Sequence, residues 1–251
     1  MMLTLQNVAT GYGKKSIARA LNATLQQGDL VALLGPNGCG KSTLLRTIAG
    51  LQPTLEGNIM CHGKPLTHYT ARELAQNISI VLTQRVEADA LTAHDVVNMG
   101  RIPYAQMFTN QSAVDHQLVQ RAMQLTHTTA YAHRRISTLS DGERQRVFIA
   151  KSLAQNTPII LLDEPTAFLD FATKVHTLRL LKLLAHHENK AILLSTHDVE
   201  LALHLCDKLW LLRSDGITIG SPQVLAQQGF IASFFQNEDI RFDAAQMRFD
   251  Y

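Results

Sequence analysis

Residues 30 to 50, LVALLGPNGCGKSTLLRTIAG, restrict the possible folds of this 251-residue chain more than any other stretch. Leu30 to Leu34 is a short apolar run, too brief for a free-standing helix and suited to a buried strand. Gly35, Pro36, Asn37, Gly38, Cys39 and Gly40 follow. From Lys41, Ser42 and Thr43 the apolar spacing turns helical through Leu44, Leu45, Ile48 and Ala49. Strand, glycine-rich loop and helix, with the spacing G-x-x-x-x-G-K-S, form a phosphate-binding order. Glycines let successive backbone N–H groups curl inward where side chains would collide. The helix start adds unpaired N–H groups and the positive end of its dipole. Lys41 is suited to β- and γ-phosphates and the Ser42 hydroxyl to Mg²⁺. Cys39 is expected to point its small side chain outward. The stretch reads as a nucleotide site.

The chain is long enough to bury a sizeable core as one large α/β domain or one domain with an insert. Its net charge is +2 on 44 charged residues. That balance leaves neither an electrostatic footprint for nucleic acid nor a polybasic membrane anchor. Three widely spaced cysteines suggest neither a disulfide framework nor a zinc pattern, and a reducing setting fits. No apolar run approaches the ~20 residues of a membrane span. The N-terminus lacks the order of a signal peptide.

Before the phosphate loop, LTLQNV and ALNATL are strand-like around a Gly11-Tyr12-Gly13 turn. Tyr12 is either a loop anchor or a flat surface for adenine. After the loop, Gly57 to Gly63 reads as strand and turn, Ala71 to Gln76 as a short helix, and Ile78 to Leu82 as a buried strand. Helical spacing dominates from Arg85 to about Gln155 and includes Val96, Val97 and Met99, then Val114, Leu118, Val119 and Met123. This suggests an inserted subdomain. The α/β rhythm returns at Pro158. Ile159–Leu162, Ala191–Ser195 and Lys208–Leu212 read as strands, and Val175–His186 and Val199–Cys206 as helices. The expected division is 1–84 with 155–220 as the nucleotide-binding core, 85–154 as the helical insert and 221–251 as an accessory packing segment.

A second constellation ends the run Ile159-Ile-Leu-Leu. Asp163 and Glu164 stand at the C-terminal end of a buried strand, where ligands of open α/β sheets bind. Asp163 is suited to the Mg²⁺ hydration shell opposite Ser42. Glu164 is suited to deprotonating an attacking water. Alone, the pair also fits a capping Asp-Glu before Pro165. His197, just past Ser195, suits either a γ-phosphate or a backbone partner. The other ten histidines show no spacing that suggests metal. Ser140 and Glu143 form a capping box that opens a helix, a second anion site beside Gly142. The first phosphate site already has its own helix, so this one is spare.

These motifs together resemble the ATP-binding subunit of an ABC transporter over nearly the full length. GPNGCGKST resembles the Walker A segment, IILLDEP the Walker B strand and LSDGERQ the ABC signature. Gln84 falls at the Q-loop glutamine, which joins Ser42 and Asp163 around Mg²⁺. Tyr12 falls at the adenine-stacking aromatic, Ala167 to Asp170 at the D-loop and His197 at the switch histidine. The resemblance implies a P-loop NTPase (RecA-like) α/β core with an N-terminal antiparallel β subdomain and an inserted α-helical subdomain. It implies ATP and Mg²⁺ as ligands, with Glu164, His197 and Gln84 at the chemistry.

The family also implies a head-to-tail homodimer in which Ser140, Asp141, Gly142 and Glu143 of one copy cap the ATP of the other. The stretch from Gln84 to Pro103 would receive a transmembrane permease subunit. A substrate-binding protein would act indirectly, on a peripheral complex at the cytoplasmic face of the membrane, with no nucleic acid partner. VLTQR and NMGRIPY resemble importers of iron-siderophore complexes, haem and cobalamin. An exporter motor shares the motor residues. A soluble non-transport ATPase would need a coiled-coil insert or two cassettes. Asp141 departs from the usual glycine and would repel a γ-phosphate unless turned away or toward Arg144. Phe168 departs from the small residue usual in the D-loop.

Overall fold

A computed structural model describes residues 2–13, 15–82, 90–105, 112–235 and 241–250. Its main sheet is built from strands β3 (Leu30–Leu34), β6 (Ile78–Val81), β7 (Ile159–Asp163), β8 (Ala191–Ser195), β9 (Lys208–Arg213) and β10 (Gly216–Gly220). The spatial order is β10-β9-β3-β8-β7-β6, parallel except for the antiparallel edge strand β10. Every residue of β3, β7 and β8 is buried, as expected of parallel strands covered on both faces.

The two-residue period of the strands divides the core between those faces. Val31, Leu33, Leu161, Leu193 and Trp210 pack with Leu44, Leu45 and Ile48 of helix α1 (Lys41–Ile48). Leu30, Ala32, Leu34, Leu162 and Leu194 pack with Leu178, Leu181 and Leu184 of helix α6 (Phe171–Glu188). A fully buried leucine contributes about 1.5–3 kcal/mol over an exposed one, so this alternation fixes which face each helix covers.

The second sheet is antiparallel, with the order β2-β1-β4-β5, from β1 (Leu3–Tyr12), β2 (Lys15–Leu25), β4 (Glu56–Cys61) and β5 (Lys64–Pro65). It shares the α1 side of the core through Leu5, Leu21, Leu25 and Ile59. A third apolar cluster joins Val96, Val97, Val119, Met123, Val147 and Ala150. These lie on helices α3 (Ala93–Asn98), α4 (Ala113–Leu125) and α5 (Asp141–Gln155). Capping boxes open all three of these helices and also α2 (Ala71–Asn77).

The buried Arg101 ties this helical cluster together. Its Nε donates to Asp115 Oδ1 at 2.7 Å and its Nη1 donates to the carbonyls of Ala154 and Gln155. Hydrogen bonds from the Ser112 hydroxyl, and then the Arg101 guanidinium, hold the Asp115 carboxyl down to about 2.

Several expectations need adjustment. Val114 and Met99 are exposed rather than core, because α4 buries Val119, Ala122 and Met123 and the chain tightens to a 3₁₀ turn at Met99–Tyr104. β10 follows β9 through a tight turn that the 208–212 reading missed. Beyond α7 (Val199–Leu205), the C-terminal stretch forms α8 (Pro222–Gln227), α9 (Phe230–Phe234) and a hairpin of β11 (Arg241–Asp243) and β12 (Arg248–Asp250). Phe234, Phe235, Phe242 and Phe249 pack this stretch onto the α6 side of the core.

Candidate active site

The glycine loop leaves the C-terminal end of β3 and enters α1. Gly38 and Gly40 have φ of +76° and +101°, a region that side chains avoid. A Cβ on Gly35 would meet Leu212 O at 2.8 Å, so only glycine fits against β9. Cys39 does not point outward. Its thiol turns beneath the loop toward Gly35 and the core, and burial pushes its pKa up. The Lys41 side chain lies along the loop, with Nζ donating to Gly35 O at 2.8 Å and Pro36 O at 3.2 Å. Tyr12, at the end of β1, is 55% exposed while its hydroxyl accepts from Thr43 Oγ1 at 3.3 Å. The ring is thus anchored at its edge and open on its face.

Ser42 Oγ donates to Asp163 Oδ1 at 3.0 Å. Asp163 is buried and pairs in register with Ser195 across the neighbouring parallel strands. The Ser195 hydroxyl donates to the same Oδ1 at 2.7 Å and accepts the Glu164 N–H at 2.9 Å. Glu164 has φ +50°, a left-handed conformation that costs a non-glycine residue about 1–2 kcal/mol. That turn takes the Glu164 side chain away from the Asp163 direction, and His197 Nε2 donates to its Oε1 at 2.7 Å. The His197 loop is braced by Asp198, which accepts from Thr166 Oγ1 and pairs with Lys174 Nζ, each at 3.0 Å.

The structure therefore brings Lys41, Ser42, Asp163, Glu164 and His197 to the C-terminal ends of β3, β7 and β8. Sequence reasoning missed Ser195 and Asp198. The available signal was a serine closing an otherwise apolar strand. Ser42 and Asp163 offer two hard oxygen donors 3.0 Å apart, the donor chemistry that Mg²⁺ prefers. Gln84 lies outside the described residues, as do positions 85–89 of the stretch proposed to meet a permease.

The residues expected to form the signature, Ser140 to Glu143, make a second group at the start of α5. Ser140 Oγ accepts the Glu143 N–H at 3.3 Å, and Glu143 Oε2 accepts the Ser140 N–H at 2.9 Å. That backbone bond is the main reason the Glu143 carboxyl is held below its ordinary range. Asp141 turns to Arg144, whose Nη1 lies 3.4 Å from its Oδ1. A Cβ on Gly142 would sit 3.2 Å from Phe168 O, so the glycine permits close approach of the loop at 167–170. Phe168 itself has φ +65° and is 65% exposed. Asp170 caps α6 by accepting from the Thr173 hydroxyl and N–H, which in that order lower its pKa.

The ABC transporter family model matches residues 18–167. The ferric enterobactin transport ATP-binding protein FepC of Escherichia coli is 35% identical over 92% of this chain and 85% of its own length. The iron(3+)-hydroxamate import ATP-binding protein FhuC of Bacillus subtilis is 37% identical over 78% of this chain and 73% of its own. Among solved structures, an inward-facing ABC transporter described as of the metal-chelate type superposes with a TM-score of 0.79 at 30% identity. It covers 93% of this chain and 88% of that one. A dimeric ATP-binding cassette in a post-hydrolysis state, bound to ADP and phosphate, superposes with a TM-score of 0.78 at 27% identity, covering 88% and 99%. With the phosphate loop, the paired carboxylates and the capped signature helix in place, these likenesses assign the chain: it belongs to the ABC transporter family, as an ATP-hydrolysing subunit.

Proposed function

We propose that this chain drives an importer of iron-siderophore complexes or a chemically related chelate such as haem or cobalamin, and that it works as a head-to-tail pair of copies. The observation that carries the hydrolytic part is the continuous set Ser42–Asp163–Ser195–Glu164–His197 at adjacent strand ends. Support for import and for the chelate class comes from the names of FepC and FhuC and from the metal-chelate type transporter.

In this reading the loop N–H groups from Gly35 to Gly40 and the α1 N-terminus hold the phosphate chain, and Lys41 swings from its loop carbonyls to the β- and γ-phosphates. Ser42, Asp163 and Gln84 would hold Mg²⁺, which when bound neutralises charge across those phosphates. Glu164 accepts a proton from the attacking water at its carboxylate. His197 keeps that carboxylate aimed by its hydrogen bond, and Tyr12 stacks on the adenine through its open face. Ser140 to Glu143 of the second copy close the site, with the Asp141 charge drawn off toward Arg144.

Residues 1–84 and 155–220 act as the nucleotide-binding unit and 85–154 as the helical unit, with 221–251 as accessory packing. The stretch from Gln84 to Pro103 meets the permease on the cytoplasmic face, and a separate binding protein delivers the substrate. No helix among the described residues is long and apolar enough to cross a membrane. The test is to purify the intact membrane complex and assay ATP hydrolysis with candidate binding proteins, empty or loaded. Stimulation by a ferric-siderophore-loaded binding protein is expected. A complex that hydrolyses ATP and moves compounds only outward would overturn the importer reading.

A further inference from the structure

His127 and His176 are 49 residues apart in sequence, yet their Nε2 atoms lie 3.1 Å from each other, a hydrogen bond in which one ring donates to the other and which a shared ion would replace, with the rings tilted at 47°. Two imidazoles on one ion at about 2.05 Å would place those nitrogens about 2.9 Å apart at a right angle and about 3.3 Å apart at a tetrahedral angle. The observed separation falls between these values. Both rings are exposed, beside a cavity of about 380 Å³ between α5 and α6.

The backbone on both sides is held firmly. α4 ends in a Schellman turn, with the His127 N–H bonded to Gln124 O at 3.1 Å and the Thr128 N–H to Met123 O at 2.9 Å. His127 therefore takes the left-handed position at φ +55°, where α5 and α6 end on Asn156 and Asn189. His176 lies on α6 beside the buried Thr177 and Leu178. Site chemistry on rigid elements is the arrangement that ligand geometry requires.

We propose that His127 and His176 form a two-imidazole site for a nitrogen-seeking divalent ion such as Ni²⁺, Zn²⁺ or Cu²⁺, pinning the end of α4 to α6. The charged residues lining the cavities beside the pair are Arg121, Arg146 and Arg179. Arg121 is engaged by Glu188, and Arg146 donates to the Tyr131 hydroxyl at 3.2 Å. This positive surround disfavours a hard ion held by charge, such as Mg²⁺ or Ca²⁺, and leaves imidazole coordination as the source of affinity. No group of three or more His, Cys, Asp or Glu able to hold a metal is found among the described residues, so water completes the shell. The proposal is independent of the transport reading.

Titration of the nucleotide-free full chain with Ni²⁺, followed by calorimetry and by the thermal midpoint, tests it. His127→Asn keeps a residue that tolerates the left-handed turn, and His176→Gln keeps the helix. Each should weaken the same single site at least ~10-fold and abolish the Ni²⁺-induced rise in midpoint. His187→Gln, on the same helix, should change neither. Equal Ni²⁺ affinity in the wild type and both pair variants would overturn the site, as would no measurable binding by the wild type.

Discussion

His197 Nε2 donates a hydrogen bond to Glu164 Oε1 at 2.7 Å, joining the ends of two neighbouring parallel strands through their side chains. The bond orients a carboxylate already displaced from its strand direction by a left-handed backbone turn. If Glu164 takes the water's proton, Glu164→Gln should slow phosphate release at least ~100-fold while ATP still binds. Unchanged turnover would remove Glu164 from the chemistry.

Ser195 accepts the Glu164 N–H and donates to Asp163, so in the proposed site it would act as a positioning residue. Ser195→Ala leaves the partly buried Glu164 N–H without its partner and should cost about 1 kcal/mol of stability. It should also lower kcat about tenfold or more and raise the Mg²⁺ concentration needed for half-maximal rate, by loosening Asp163. A stability loss with normal kcat and normal Mg²⁺ dependence would mean the bond is only structural.

Ser140 caps α5 and, in the proposed pair, the nucleotide of the other copy. Ser140→Ala should cost about 1 kcal/mol in unfolding experiments. Nucleotide binding by the single chain should be unchanged. Added to the Glu164→Gln background, the substitution should prevent ATP-dependent dimers in size-exclusion chromatography. Dimers that persist would separate the capping serine from the interface.

Arg101 is 6% exposed and carries the link from α4 to the end of α5. The arginine is buried but its aspartate only half-buried, so Arg101→Ala, which also leaves the Ala154 and Gln155 carbonyls without their donor, should destabilise the helical block by about 1–3 kcal/mol in urea unfolding. A loss under ~1 kcal/mol would show that the pair is solvated.

Asp115, held first by the Ser112 hydroxyl and then by Arg101, also sets an acid limit. The folded Asp115 carboxyl is held at about 2, below its ordinary 3.8. A lowered folded pKa adds stability above the ordinary value, and that gain disappears as pH falls through about 4 toward about 2. The thermal midpoint of the wild type should fall across that window, and Asp115→Asn, less stable at neutral pH, should fall less steeply. Parallel curves would place the acid sensitivity elsewhere.

Much of the site could be read without coordinates because its chemistry is local in the chain. The phosphate-loop reading of Gly35 to Thr43 rests on backbone freedom and a helix start, both local in the chain. Asp163-Glu164 declares itself by ending an apolar strand, and Ser140-x-x-Glu143 by its capping spacing. The strand cores were legible for the same reason, since a short apolar run between turn residues has few other uses.

Only the tertiary structure decided which distant residues meet. Register between β7 and β8 sets Ser195 beside Asp163, and the left-handed turn at Glu164 delivers its carboxylate to His197. Packing against Gly35 and the core, rather than residue size, turned Cys39 inward. The meeting of His127 with His176 has no trace in their spacing, because it depends on how the end of α4 lies against α6. Local backbone preference and hydrophobic period are written along the sequence. Contacts across strands and between helices are written in how those elements pack, and there sequence separation carries no information.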